Sequence, residues 1–245
     1  MREEDSLPVL LLLTCCVDPK GMAYTVINDR ETRIKQYYEA FDYYLENTLF
    51  KILIVENTLF DIDEKYLTND RVEYLTFDGN NFDKSLGKGY GEALILEHAL
   101  KRSQFLNNSN KPIIIKITGR LKVLNINELL NNRKYLKTRN FVSANITWDL
   151  SFAYSYFFIS TYNLFKDIIL NKELINDEKG YYFEHLLLES IKKEKKESNN
   201  FIGLNSPILI EGKSGSTGQV YKNSKSFLDI ISLKIKNKYI KCFLK

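Results

Sequence analysis

Two cations near the end of an apolar segment could bind a phosphate group. Lys116 lies inside the otherwise apolar run Ile113–Ile117, and Thr118, Gly119 and Arg120 follow it. Arginine forms forked hydrogen bonds with phosphate oxygens, and glycine lets a ligand approach the backbone closely. A lysine inside a buried segment needs a partner for its charge. We therefore interpret these residues as a candidate phosphate clamp, the alternative being a polar strand end with solvated cations.

A glycine-rich segment, Gly87–Glu92, opens a predicted helix. Helix N-termini attract anions, and the glycines would let a ligand reach the backbone. The spacing matches neither the Walker loop nor the G-x-G-x-x-G fingerprint, so the alternative is a flexible loop followed by a helix cap. The candidate ligands in this segment are Lys88, Gly89, Tyr90 and Glu92.

A second glycine- and serine-rich segment, Glu211–Gly218, could form an anion-binding nest from successive amides and hydroxyls. The alternative is a mobile surface loop. The apolar segment Pro207–Ile210 before it and Tyr221 after it are expected to hold both ends. The candidate ligands are Ser214, Ser216 and Thr217.

A glutamate among aromatic residues is the candidate general base. Glu184 follows Tyr181, Tyr182 and Phe183 and precedes His185 at the predicted start of a helix. Apolar packing raises the pKa of a carboxyl group towards the range useful for proton transfer. The alternative for Glu184 is a first-turn acid favoured by the helix dipole, and for His185 we favour a purely structural role.

The sequence predicts no metal site and no cofactor. Asp61 and Asp63 form an Asp-x-Asp pair, but their position favours a cluster of helix-capping acids. The three cysteines form no disulfide framework and no Cys-x-x-Cys motif, which is typical of a protein with reduced thiols in the cytoplasm.

Predicted strands and helices alternate through the first half of the chain. The strands cover Val9–Thr14, Lys51–Val55, Val72–Phe77 and Pro112–Thr118, and the helices cover Asp29–Glu46 and Lys88–Phe105. This order favours an α/β fold with an open, mainly parallel, Rossmann-like sheet flanked by helices. Ligands of such sheets bind beyond the carboxyl ends of the strands, where the candidate residues follow.

The second half of the chain is less regular. We predict strands at Phe141–Trp148, Ala153–Phe158 and Ser206–Ile210, and helices at Thr161–Leu170 and Tyr181–Lys193. The absence of repeats and of a proline-rich linker favours one domain over residues 1–245. Within it we distinguish residues 1–125, residues 126–220 and a basic tail over residues 221–245.

The composition fits a globular protein, with 44% apolar and 27% charged residues, and the net charge of +4 points to no particular partner. The charge is concentrated in the tail, where Lys222–Lys245 contains seven lysines and one acid, Asp229. The apolar run Leu7–Val17 is too short to span a bilayer. We expect a cytoplasmic protein whose tail is a candidate for contact with the inner face of a membrane. The alternative is a tail that completes the core.

The order of these segments resembles the GT-A family of nucleotide-sugar glycosyltransferases, and especially the small bacterial transferases that build capsule, O-antigen or lipooligosaccharide sugars. The likeness covers roughly Leu7–Glu189. It rests on four strand ends, which are Leu13-Thr14-Cys15-Cys16, Val55-Glu56-Asn57-Thr58, the passage from Asp78–Asn81 into Lys88–Ala93, and Thr118-Gly119-Arg120. By this resemblance residues 1–125 are expected to be the nucleotide-sugar-binding half and residues 126–220 the acceptor-side half. Thr14, Glu56 and Asn57 are expected near the nucleotide of the donor.

The resemblance also implies a reaction and its partners: a nucleotide-sugar donor and a glycan or lipid-linked acceptor. The family usually has Asp-x-Asp at the end of the fourth strand, where it holds a divalent metal. Here Lys116 and Arg120 occupy that stretch, and cations can stabilise a departing phosphate directly. The resemblance therefore implies metal-independent transfer, with Glu184 as base and the loop Ser214–Gly218 folding over the donor.

Two alternatives remain open at this point. The 16 Tyr and 15 Phe and the basic tail could serve a protein that binds single-stranded nucleic acid or another phosphate-bearing ligand. Most aromatic residues lie at helical core spacing, however, so we predict no nucleic-acid partner. A nucleotidyltransferase would need metal-binding carboxylates at a strand end, and none is well placed.

Overall fold

The computed structural model describes residues 8–22, 25–132, 135, 138, 140–196 and 200–244, and a seven-stranded sheet forms its centre. Its strands are β1 (Val9–Cys15), β2 (Lys51–Glu56), β3 (Val72–Thr76), β4 (Ile113–Thr118), β6 (Phe141–Ile146), β7 (Ala153–Thr161) and β8 (Asn200–Phe201). They lie in the order β3-β2-β1-β4-β7-β6-β8. A second, two-stranded sheet pairs β5 (Lys122–Val123) with β9 (Ile210–Glu211).

The large sheet is mainly parallel. β1 pairs in parallel with β2 and β4, and β2 pairs in parallel with β3. β7 is antiparallel to both β4 and β6, and β8 is parallel to β6. As far as the described residues show, β7 is therefore the one strand of this sheet that runs against the others. The predicted α/β class, with an open and mainly parallel Rossmann-like sheet in a single domain, is confirmed.

Helices cover both faces of the sheet. They are α1 (Arg30–Asn47), α2 (Glu64–Leu67), α3 (Gly87–Arg102), α4 (Gln104–Asn107), α5 (Ile126–Leu130), α6 (Tyr162–Leu170), α7 (Phe183–Lys196) and α8 (Phe227–Phe243). The core on one face includes residues of α3, α6 and α7, and the core on the other includes residues of α1 and α5. Leu10, Leu11, Leu12 and Leu13 of β1 are each at most 2% exposed. A strand covered on both faces requires such a continuous apolar sequence.

The helix predicted over Lys88–Phe105 ends earlier, at Arg102. Ser103 interrupts it because its Oγ accepts a hydrogen bond from the Leu106 N–H at 3.0 Å, which starts α4. The same hydroxyl donates to Glu73 at 2.6 Å, so a side chain of β3 holds the break in place. The side chain of the cap therefore decides where α3 stops.

The end of the chain also differs from the predictions. Of the predicted strand Ser206–Ile210, only Ile210 lies in a strand, β9. The tail, whose type the sequence pattern left open, is the helix α8. It starts with a reciprocal capping box in which Ser226 and Asp229 each accept from the other's backbone N–H. Within the described ranges, none of the helices has the length and apolar character needed to cross a bilayer.

Replacing Tyr44 with phenylalanine should lower the free energy of unfolding by about 1–3 kcal/mol. The buried Tyr44 hydroxyl donates to the Leu121 carbonyl at 2.8 Å and accepts from the Val123 N–H at 2.9 Å, so it ties α1 to the segment that follows β4. Denaturant unfolding measures the change. Tyr43→Phe is the matched control, because the Tyr43 hydroxyl makes a longer bond of 3.4 Å at a half-buried position. Equal losses of unfolding free energy in Tyr44→Phe and Tyr43→Phe would contradict this stabilising role of the Tyr44 hydroxyl.

Candidate active site

Several polar segments meet at one edge of the large sheet. The carboxyl ends of β1 and β4 lie there, because the two strands are parallel. The first residues of β7 lie there too, because β7 runs the opposite way and Phe157 pairs with Ile117 near the end of β4. The N-termini of α3 and α7 and the loop 211–221 supply further side chains to this edge. This is where ligands of open α/β sheets bind.

Lys116 has the charged partner that its position in an apolar strand requires. Its side chain is fully buried and its ammonium group forms an ion pair with Glu92 of α3. It also donates to the carbonyl of Ser155 at 2.6 Å. Thr14 Oγ1 donates to the same Glu92 carboxylate at 3.3 Å. The structure thus brings together Thr14, Glu92 and Lys116, while direct contact of Lys116 with a phosphate stays a prediction.

Ser155 links two carboxylates across this edge. Its Oγ lies 2.7 Å from Oε1 of Glu184 and 3.3 Å from Oε2 of Glu92. A hydroxyl carries one proton, so it donates to one carboxylate at a time, and the distances favour Glu184. The sequence analysis missed Ser155. The available signal was a polar residue on the inward face of a strand, between Ala153 and Phe157, which are both fully buried.

The environment of Glu184 suits proton transfer. Burial at the first turn of α7 raises the pKa of Glu184 above its usual range, the hydrogen bond from Ser155 lowers it, and the charge of Glu92 raises it again. The neighbouring His185 is engaged locally, since its Nδ1 accepts from the Tyr182 N–H at 3.0 Å and its ring stacks with that of Tyr182. The arrangement leaves Glu184 as the candidate base that sequence analysis selected.

Arg120 and Lys88 both contact the loop 211–221. Arg120 is 8% exposed, and its Nη1 donates to the Lys213 carbonyl at 2.9 Å. A Cβ added to Gly215 would lie 2.4 Å from Nη2 of Arg120, so the loop approaches the guanidinium more closely than a side chain would allow. Lys88 Nζ donates to Ser216 Oγ at 2.5 Å. The loop 211–221 therefore lies across the ends of the strands. Lys88 and Arg120, which were predicted to bind the donor, contact it from the sheet side, and the predicted residue Ser216 belongs to the loop itself.

The charge of Arg120 is uncompensated within the part of the chain that the structure describes. Among those residues, no carboxylate forms an ion pair with it. Burial lowers the pKa of the Arg120 guanidinium, and burial likewise lowers the pKa of Lys88. A buried cation without an anion is costly to the folded protein. Such a group marks a site that an anionic ligand would complete.

Tyr221, at the end of the loop 211–221, lies within the electrostatic range of Arg120 and of the candidate base. Burial raises the pKa of Tyr221, and the charges of Arg120, Glu184 and Glu92 all act on it. Its ring packs against Tyr156 with the centroids 5.5 Å apart. Sequence analysis treated Tyr221 only as an anchor of the loop.

The N-terminus of α3 is capped by a carboxylate of the chain itself. Asp177 Oδ2 accepts from the Lys88 N–H at 3.0 Å, and burial raises the pKa of Asp177. The backbone N–H of Lys88, at the helix start that was predicted to bind an anion, is thus already hydrogen-bonded within the chain. Gly89 lies where the starts of α3 and α7 meet, because an added Cβ would lie 2.9 Å from the backbone nitrogen of Phe183. No local pattern points to Asp177, which is 89 residues from the amide it caps.

Glu56 binds backbone and hydroxyl donors of its own chain. It is 1% exposed and fixes the loops that follow β1 and β2. Its carboxylate accepts from Val17 N, Thr58 N, Thr58 Oγ1, Phe60 N and Thr76 Oγ1, at 2.5 to 3.1 Å. The adjacent Asn57 is 2% exposed, and its Oδ1 has no hydrogen-bond partner among the described residues. Contact of either residue with a donor stays a prediction.

The other residues that were predicted to bind the donor make contacts of different kinds. Gly119 packs tightly, because an added Cβ would lie 2.6 Å from Cys15 Sγ. Thr118 pairs with Thr14 in the sheet. Tyr90 donates to Glu173 at 3.3 Å and so points to a different neighbour. Within the loop, Ser214 Oγ accepts from the Thr217 N–H at 3.3 Å.

No metal-binding cluster occurs in the described ranges, where no three His, Cys, Asp or Glu side chains converge suitably. Asp63 precedes α2 but does not cap it with its side chain, contrary to the expectation of helix-capping acids. Its Oδ1 accepts instead from the Tyr38 hydroxyl at 3.0 Å.

A cavity of about 390 Å³ lies beside the ends of β1 and β2. Arg30 and Phe60 line it, with the guanidinium 5.5 Å from the ring centroid. Asp18 and Asp61 add carboxylates to its wall. Its volume falls within the range of roughly 300–1,000 Å³ that is common for small-molecule sites.

Comparisons with protein-family models and with curated proteins found no match. Among solved structures, the chain is similar to one titled as the apo structure of the bifunctional glycosyltransferase WbbM. The two share 13% sequence identity with a TM-score of 0.45, and the match covers 96% of this chain and 45% of that one. This chain therefore spans less than half the length of that protein.

Proposed function

We propose that this chain is a glycosyltransferase that moves a sugar from a nucleotide-sugar donor to a glycan or lipid-linked glycan acceptor. The observation that carries the proposal is the convergence at one edge of the sheet of Arg120, a buried guanidinium with no carboxylate partner among the described residues, and Glu184, a half-buried carboxyl group hydrogen-bonded to Ser155. The first suits a diphosphate, and the second suits a hydroxyl that must lose its proton.

Each group has a defined part in the proposed reaction. Glu184 accepts the proton of the acceptor hydroxyl as its oxygen forms a bond to the anomeric carbon. The bond from that carbon to the donor phosphate breaks, and the electron pair leaves on the phosphate oxygen. Arg120 and Lys88 stabilise that developing charge. The cavity beside Phe60 and Arg30 would hold the nucleobase, because flat bases stack on aromatic rings and guanidinium planes.

Lys116 acts in this proposal through Glu92. The ammonium group holds the Glu92 carboxylate in place by forming an ion pair with it. That carboxylate competes with Glu184 for the Ser155 proton and adds negative charge beside it. Lys116, Glu92 and Ser155 are thus positioning residues that keep Glu184 proton-accepting. Arg120 and Lys88 would stabilise the leaving phosphate in place of a metal ion. We therefore propose that the transfer is metal-independent.

A panel of nucleotide ligands tests the function. We expect UDP, GDP, CDP or a CMP-sugar to raise the melting temperature selectively, because a ligand that binds only the folded state stabilises it. We expect transfer with the matching sugar to continue in the presence of a chelator. Loss of activity with the chelator and its recovery with Mn²⁺ would refute metal independence. Stabilisation by an oligonucleotide but by no nucleotide would favour the nucleic-acid alternative instead.

The proposed acceptor connects this reaction to a membrane. A lipid-linked glycan is presented at a bilayer surface, and we propose that the basic tail 221–245 contacts that surface from the cytoplasmic side.

A further inference from the structure

The helix α8 has one face against the protein and one face towards solvent. Ile240 and Leu244 on the packed side are 1% and 8% exposed, and Asn237 Nδ2 donates to the Leu204 carbonyl at 2.8 Å. The outward side carries apolar residues at i, i+3 and i+7, which form a single stripe on a helix. These are Leu228, Ile231 and Ile235, exposed by 74%, 36% and 58%.

Three lysines lie on one side of this apolar stripe, and a single lysine lies on the other. On one side Lys234, Lys238 and Lys241 line a cavity of about 480 Å³ between α8 and the segment 203–205. Among the described residues, the rest of its wall includes asparagines but no acid. On the other side Lys236 donates to Asn145 at 2.9 Å and lies 5.9 Å from the ring of Trp148. Trp148 is itself 49% exposed.

An exposed apolar stripe flanked by lysines is the pattern of a helix that lies in a membrane interface. The lysine stems can pack along the acyl boundary while their ammonium groups reach lipid phosphates. Tryptophan is favoured at the same depth. We propose that α8 docks the protein on an anionic phospholipid surface, with the Leu228–Ile231–Ile235 stripe in the interface and lipid phosphate groups in the cavity lined by Lys234, Lys238 and Lys241.

A second copy of the chain fits this surface less well. Two copies that met through this face would bring their like-charged lysines together, which is unfavourable at an interface. An anionic bilayer instead neutralises these lysines. The inference deepens the membrane contact of the proposed function, but it concerns a surface separate from the candidate active site, so its test can fail while the transfer reaction stands.

Vesicle sedimentation with the full chain tests the proposal. We expect binding to vesicles of phosphatidylcholine mixed with phosphatidylglycerol, weak binding to phosphatidylcholine alone, and release by salt. The variant Lys234→Gln/Lys238→Gln/Lys241→Gln should bind the mixed vesicles roughly a hundredfold more weakly, since each lysine near the surface contributes about 1 kcal/mol. Ile231→Ser/Ile235→Ser should also weaken binding, because it removes the apolar contribution.

The matched control is Lys35→Gln/Lys166→Gln/Lys179→Gln, which removes exposed lysines elsewhere and lowers the formal net charge equally, from +4 by three to +1. This control should bind nearly as the unmodified chain does. Equal weakening by both triple variants, or equal binding to neutral vesicles, would overturn the proposal. So would calorimetric binding of inorganic phosphate without vesicle binding, or sedimentation velocity showing that the stripe variant only separates dimers. Circular dichroism confirms that each variant is folded.

Discussion

Glu184→Gln should lower the turnover number about 100- to 10,000-fold while leaving the affinity for the donor nucleotide nearly unchanged. Glutamine keeps the shape of the side chain and can still accept the Ser155 hydrogen bond of 2.7 Å, but it cannot take the proton of an acceptor hydroxyl. Steady-state kinetics and nucleotide titration measure the two quantities. Glu189→Gln is the matched control, because Glu189 is an exposed residue of the same helix and bonds to Tyr181.

The pH dependence provides a separate test of the same residue. Burial raises the pKa of Glu184, and a base works only when deprotonated, so turnover should fall as the pH drops through a value above the usual glutamate range. The contribution of Glu184 to the free energy of unfolding should change with pH in the opposite sense to turnover. A carboxyl group with a raised pKa in the folded state contributes stability below its unfolded pKa and loses it as the pH rises through the folded value. The advantage of the unmodified chain over Glu184→Gln in unfolding free energy should therefore decline with rising pH.

Two results would contradict the role of Glu184. Unchanged turnover in Glu184→Gln would exclude it as the base. A stability difference that is the same at every pH would show that its carboxyl group does not titrate differently in the folded protein.

Arg120→Met should lower kcat/KM about 100- to 1,000-fold without lowering the free energy of unfolding. The guanidinium is buried, has no carboxylate partner among the described residues, and makes its hydrogen bond to the carbonyl of Lys213, an exposed residue that water can reach. Replacing a buried, uncompensated charge with an apolar side chain of similar length removes its desolvation cost. Stability should therefore stay the same or rise while catalysis is lost.

Kinetics and denaturant unfolding of the same Arg120→Met sample separate the two effects. Arg102→Met, at an exposed position in the last turn of α3, is the control and should change neither quantity appreciably. A large loss of stability with unchanged kcat/KM would mean that Arg120 only fastens the loop 211–221.

The strands were predictable because burial on both faces demands an unbroken apolar sequence. β1 and β4 begin and end within one residue of their predicted limits. Lys116 could be identified as a buried cation by its apolar neighbours. Its partner could not be named, because the pairing with Glu92 depends on how α3 packs across the sheet, and strand and helix periodicity do not fix that distance.

The residues that sequence analysis missed share a physical reason. Ser155 and Asp177 act on groups far along the chain, at separations of 29 residues from Glu184 and 89 residues from Lys88. Nothing in their immediate neighbours distinguishes them from an ordinary strand serine or turn aspartate. For Glu56 the residue type and position suggested a ligand contact. They did not indicate the convergence of five donors, four from the loops after β1 and β2 and one from Thr76 of β3.

The reversed direction of β7 has a consequence for synthesis of the protein. β4 cannot complete its hydrogen bonds on one side until the chain has been made to Thr161, since Ile113 pairs with that residue. Until then the growing chain carries a bare, apolar strand edge of the kind that invites pairing between molecules. The fully formed sheet removes this hazard by the same pairing that places Ser155 beside the strand end. Ribosome-bound chains that stop short of β7 are therefore the aggregation-prone species of this protein.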